Sequence, residues 1–229
     1  MKKKILIILS IVIVLVIGSL ILYKHETTLP EPKVSEGTRG ELGIDANINE
    51  KNIDKYLNRK DSVYYDMRML VDPASYENIG GDAYLSGYVK GFEVLPYPYL
   101  VNVNNLPEVV GNTYQGKTLF TKTEDGKYKA NYAESLKILE YYFPKDKYIF
   151  LMCGGGGYAG MTKELLTSLG WNPNKIYNVG GYWYYEGKNN IQIKRTEDGK
   201  DYYDFWKVNY HNINFEYLKE VNKWKKYYY

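Results

Sequence analysis

YIFLMCGGGGYAGMTKELLTSL, residues 148–169, decides how the rest of the chain is read. Tyr148 to Met152 carry no charge, which suits a strand buried on both faces of a parallel sheet. Cys153, the only cysteine, stands at the carboxyl end of that strand, and Gly154, Gly155, Gly156 and Gly157 follow. Such a loop is expected to curl and aim its backbone N–H groups at one point, making an anion-binding nest. Met161, Leu165, Leu166 and Leu169 recur at three- and four-residue spacing before Gly170, which predicts a helix with its N-terminus at the loop. A helix N-terminus and converging N–H groups lower a thiol below its free pKa of about 8.5, so a thiolate at neutral pH is expected. Open α/β sheets place their ligands at this junction of strand end and helix start. The competing reading makes Cys153 a small buried hydrophobe and the glycines a flexible joint.

The flanks repeat the alternation. Ala133, Leu136, Leu139 and Phe143 mark an amphipathic helix ended by Pro144, and Lys175 to Val179 read as another buried strand closed by Gly180 and Gly181. Upstream, Ser62 to Arg68 form a strand pattern ending in Asp66 and Arg68, two apart. Structurally, that acid and base form a turn cap and an ion pair. Strands alternating with helices predict an α/β domain with a mainly parallel sheet between helices.

With these residues in place, the sequence resembles the rhodanese-like sulfurtransferases, whose active-site loop opens with a cysteine after a buried strand and closes on a helix. Gly156 matches the glycine common three positions after that cysteine, while Tyr158 stands where many members carry arginine, threonine or serine. Asp66-Met67-Arg68 is similar to the family's Asp-x-Arg, which ends an early strand beside the active-site loop. Tyr84 to Phe92 looks like its aromatic-x-x-Gly-His-Ile-Pro-Gly-Ala segment, with Tyr88 for histidine, Lys90 for proline and Phe92 for alanine, and Glu93 to Pro96 as the short strand expected next. Gly180-Gly181 resembles a Gly-Gly followed by tryptophan four residues on; here Tyr185 holds that slot and Trp183 lies two earlier. The resemblance covers residues 52 to 186 and implies sulfur transfer from a donor such as thiosulfate to a thiol or cyanide-like acceptor through a Cys153 persulfide. It further implies that Gly154, Gly155, Gly156, Gly157 and Tyr158 form the substrate and anion loop, with Asp66 and Arg68 orienting it from behind. No cofactor or metal is expected.

Met1-Lys2-Lys3-Lys4 precedes Ile5 to Leu22, a run without charge that reads as a membrane segment. Its length and the lack of an A-x-A site favour an uncleaved anchor over a signal peptide. By the positive-inside rule the lysines keep the N-terminus cytoplasmic, so a single-pass protein with its domain on the extracytoplasmic side is expected. One cysteine fits that compartment. The reading divides the chain into an anchor at 1–23, a linker at 24–50, the rhodanese-like domain at 51–186 and an extension at 187–229. Residues 97–129 are taken as an insertion with a hairpin at Glu124-Asp125-Gly126; a second hairpin centres on Asp198-Gly199, and Phe215, Leu218, Val221 and Trp224 mark a packing helix.

A net charge of +3 with scattered lysines indicates no nucleic-acid partner. Ala159, six residues past Cys153, takes the place of the arginine a dual-specificity phosphatase loop needs. His211 lies in the tail, which weighs against a Cys/His hydrolase. The runner-up to sulfur transfer is a non-catalytic extracytoplasmic module that binds through its tyrosine-rich surface; 27 tyrosines make such a surface available.

Overall fold

A computed structural model describes residues 12–13, 28–103 and 111–221 of the chain. Two units divide it, Met1–Glu31 and Pro32–Tyr229. The expected anchor at Ile5 to Leu22 lies outside the described residues except for Val12 and Ile13. Among the described residues no helix is long and apolar enough to cross a membrane.

In the second unit the strands are β1 (Ser62–Asp66), β2 (Gly87–Val89), β3 (Glu93–Val94), β4 (Phe120–Lys122), β5 (Tyr128–Ala130), β6 (Tyr148–Cys153), β7 (Ile176–Gly181), β8 (Asn190–Gln192), β9 (Lys194–Glu197) and β10 (Lys200–Tyr203). The α-helices are α1 (Tyr97–Leu100), α2 (Ser135–Tyr142) and α3 (Gly157–Ser168). A parallel sheet of order β3-β1-β6-β7 sits between helices and loops. Its central strand β6 is buried from Ile149 to Cys153, which explains the uncharged run.

The two faces of β6 have different partners. Ile149, Leu151 and Cys153 join the main core with Leu139 and Phe143 around α2 and Ala159, Leu165 and Leu166 of α3. On the opposite face Tyr64, Phe150 and Tyr177 stand in register across β1, β6 and β7 and stack at 4.9 Å between neighbouring rings. Tyr64 donates its hydroxyl to the Tyr56 carbonyl at 2.5 Å, tying that face to the segment before β1.

That segment corrects the expected linker. From Pro32 to Glu50 the chain is folded: Ile44 and Ile48 are buried, Val34 bridges Asp45, and the Asp45 N–H reaches the Asn178 carbonyl of β7. The Asp45 carboxylate accepts the backbone N–H groups of Lys33, Asn47 and Ile48, so a charged side chain organises the turn from inside. Polar composition concealed this because the anchoring isoleucines stand singly among charges.

The presumed insertion and extension also belong to the domain. Leu100, Val101, Val103, Leu119 and Phe120 lie in the main core, and Tyr128 and Ala130 of the hairpin β4–β5 pack against it. Strand β8 pairs with β2, and Ile193 and Ile213 are buried. The expected tail helix is replaced by a 3-10 turn, Phe215–Tyr217, capped by the Asn214 side chain, after which Leu218 is extended and Glu220 bridges Tyr132. Trp224 lies outside the described residues.

Candidate active site

Helix α3 begins at Gly157, four residues before the first apolar position of its stripe, because Gly156 takes φ +103 and turns the chain sharply off β6. The turn brings the Gly156 N–H onto Cys153 Sγ at 3.1 Å. The Ala159 N–H also favours negative charge on the sulfur. These are N–H groups that a helix start leaves free of intrahelical partners.

The loop is held by packing. The Gly156 carbonyl accepts from Asn178 Nδ2 at 3.0 Å, and the Gly154 carbonyl accepts the Trp183 N–H at 3.2 Å. A Cβ on Gly154 would run into the Trp183 indole. Between Leu151 and Met152 the pairing of β6 with β7 slips by one residue. Gly180 absorbs the slip at φ +96, and a side chain there would strike the buried Glu50 carboxylate.

Asp66 and Arg68 lie beside this loop, as β1 pairs directly with β6. Both Asp66 oxygens engage the guanidinium: Nε donates to Oδ1 at 2.9 Å and Nη2 to Oδ2 at 2.5 Å. Nη2 also donates to the Gly87 carbonyl at 2.7 Å, and the Tyr182 ring lies 4.5 Å from the guanidinium carbon. Burial works against charge on Arg68, but the carboxylate outweighs it and the group stays cationic. Its Nη1 is enclosed and has no hydrogen-bond partner.

Above the thiol lies a cavity of about 300 Å³ that Arg68, Cys153, Gly154, Gly155 and Gly157 help to line. Tyr158, expected as a substrate contact, is buried in its wall and donates to Asp72 Oδ2 at 3.1 Å while its oxygen receives the Tyr76 hydroxyl at 2.8 Å. Its ring stacks on Tyr97 at 5.4 Å. Burial pushes the Tyr158 hydroxyl up, and it also pushes up Asp72, against hydrogen bonds from the Ala74 N–H and the Tyr158 hydroxyl. Asp72 and Tyr76 escaped sequence reasoning. Their Asp-x-x-x-Tyr spacing was the available signal, but no periodicity surrounds it. Of the two aromatic candidates after Gly181, Trp183 enters the cavity and packs against Tyr76 at 5.6 Å, whereas Tyr185 donates to Asp54 elsewhere.

The expected low thiol pKa is corrected by enclosure. Cys153 is 3% exposed, and desolvation pushes its thiol up more strongly than the Ala159 and Gly156 N–H groups and the Arg68 charge pull it down. The Gly156 N–H reaches the sulfur, but that sulfur is buried. Among the described residues no group of three or more His, Cys, Asp or Glu side chains is placed to hold a metal. Comparisons with protein-family models, curated proteins and solved structures find no match for this chain.

Proposed function

We propose that this chain is a rhodanese-like sulfurtransferase in which Cys153 carries the transferred sulfur. The observation that supports this most is the Gly156 N–H on Cys153 Sγ beside a cavity that Cys153 and Arg68 both line. Further support is the order of pieces: the strand ending in Asp66 neighbours the strand ending in Cys153, and the short β3 flanks it on the other side. In the reaction the Cys153 thiolate attacks the outer sulfur of a donor such as thiosulfate, and the donor's S–S bond breaks. Sulfite leaves with the electron pair, and Cys153 holds a persulfide anion against the loop N–H groups. An acceptor such as cyanide or a thiolate then takes the outer sulfur and returns the thiolate. Asp66 positions Arg68, whose charge lies near both sulfur anions. On the strength of Lys2 to Lys4 and the apolar run behind them, we place the domain outside a membrane to which the N-terminus anchors it.

Burial of the thiol favours a second reading, a non-catalytic module that uses the cavity for binding alone. One experiment separates them. Full-length protein treated with a sulfane donor should gain the mass of one sulfur, lost on adding cyanide, and Cys153→Ser should gain none. No gain from any donor with a folded protein leaves the binding module as the better account.

A further inference from the structure

The walls of the cavity constrain which donor it accepts. Met69, Ile79, Tyr84, Met161 and Trp183 line it, and at its rim Leu42, Ile79 and Tyr84 remain 44%, 46% and 42% exposed. Three large apolar side chains around one opening form a patch that an apolar ligand body would cover. An apolar cavity of about 150 Å³ holds one benzene ring, so about 300 Å³ leaves room for a ring and a small head group.

The charges point the same way. Among the described residues Arg68 is the one cation lining the cavity, and it is already bound to Asp66 through both carboxylate oxygens. Asp72 and Asp82 also line it. The Arg68 side chain is 7% exposed and its unpartnered Nη1 is enclosed, so the charge it offers an anion is already balanced by Asp66. Such a lining suits a head group of low charge. A small dianion would give up its hydration with no net positive charge to meet it.

Resting on the sulfurtransferase reading above, we propose that this site takes sulfur from organic donors with an apolar aromatic or branched aliphatic body and one negative charge at the sulfur-bearing group, in preference to small inorganic dianions. An organic thiosulfonate, R–SO2–S⁻, has this form. The Cys153 thiolate attacks the outer sulfur, the S–S bond breaks, and the sulfinate R–SO2⁻ leaves with the electron pair while Cys–S–S⁻ remains. Cyanide then removes the outer sulfur as thiocyanate and regenerates the thiolate. The apolar body sits against Met69, Met161 and Trp183, and the head group faces Cys153 and the glycine loop.

The test uses full-length protein and three donors: thiosulfate, methanethiosulfonate and benzenethiosulfonate. Thiocyanate formation gives kcat/KM for each, divided by that donor's rate with a small free thiol to remove intrinsic reactivity. The two thiosulfonates share charge and head group, so their ratio reads the apolar body; methanethiosulfonate against thiosulfate reads the charge. Benzenethiosulfonate is expected to exceed methanethiosulfonate by about tenfold or more, with thiosulfate lowest. Ile79→Lys at the rim should shrink the ratio of benzenethiosulfonate to thiosulfate. Equal or faster turnover of thiosulfate, with a cyanide-labile sulfur on Cys153, overturns the donor class and leaves sulfur transfer standing. Absence of that sulfur with every donor overturns both.

Discussion

The carboxyl end of the parallel sheet and the two peripheral hairpins use the same residue types to opposite ends. At the sheet end an acid and a base two apart, Asp66 and Arg68, are 0% and 7% exposed in their side chains; in the first hairpin Asp125 and Lys127, also two apart, are 56% and 81% exposed. Gly154 has the Trp183 indole where a side chain would go, whereas nothing lies within 4 Å of the space a side chain would take on Gly126 or Gly199. Beside Cys153 the identity of a glycine such as Gly154 is fixed by what packs on it. In the hairpins it is fixed by the backbone angles of the turn alone. The difference sets the expected size of perturbations, since buried ion pairs punish the loss of one partner and exposed pairs contribute little.

The largest effect should come from Arg68→Met. It strands the Asp66 carboxylate in the interior at a cost of about 3–5 kcal/mol, lowering Tm by roughly 10 °C for a domain of this size. Lys127→Met removes the matching partner in the hairpin and should leave Tm within error. Thermal melts of the two full-length variants check the contrast, and equal shifts would break it.

A smaller effect concerns the thiol. Burial holds Cys153 above the ordinary thiol value. Alkylation by iodoacetamide should therefore be slow at pH 7 and rise with a midpoint above that of an exposed cysteine, provided by Glu124→Cys in the Cys153→Ser background. The sign for stability follows from the same burial. The folded state favours the protonated thiol, so its contribution is complete below the unfolded value of about 8.5 and is lost as pH rises through the folded value. Tm of the wild type should fall relative to Cys153→Ser above about pH 8.5, and parallel profiles would mean the thiolate is not penalised.

The features legible in the sequence were those written in consecutive residues. Tyr148 to Met152 showed a strand because five uncharged residues ran together, and Met161 to Leu169 showed α3 by its spacing. The hairpins announced themselves through Asp-Gly and Glu-Asp-Gly. What escaped was assembled from distant single residues. Ile44 and Ile48 read as linker, and Leu100, Val103 and Leu119 read as insertion, because each stands among polar neighbours and earns its place only through tertiary contact. Asp72 and Tyr76 reached the cavity in the same way. The thiol was misjudged since N–H groups and a helix start can be inferred from sequence, while the depth of burial that opposes them cannot.

The smallest and sharpest contrast lies inside the hairpins themselves. Residues 123–127 and 196–200 both spell Thr-Glu-Asp-Gly-Lys, yet they turn differently. In the first, Lys122 pairs with Tyr128, and the Thr123 N–H reaches the Lys127 carbonyl, closing a longer loop in which only Gly126 has positive φ. In the second, Glu197 pairs with Lys200, leaving Asp198 and Gly199 as a two-residue turn with φ +50 and +73. Positive φ at both central residues is the type I′ pattern, which suits the twist of a hairpin. The flanks choose between them: Phe120 is held in the core opposite Ala130, while Lys194 and Asp201 form an ion pair and Arg195 lies over Tyr202. Aspartate therefore occupies a left-handed position in one copy and an ordinary one in the other. Asp198→Gly should relieve the steric cost of that conformation and raise Tm by about 1–2 °C, offset in part by glycine's greater entropy when unfolded. Asp125→Gly brings only the entropy loss and the loss of the Thr123 and Lys127 contacts, so Tm should fall by about 1–2 °C. Shifts of the same sign in paired melts would mean that the pentapeptide, and not the strands around it, sets the turn.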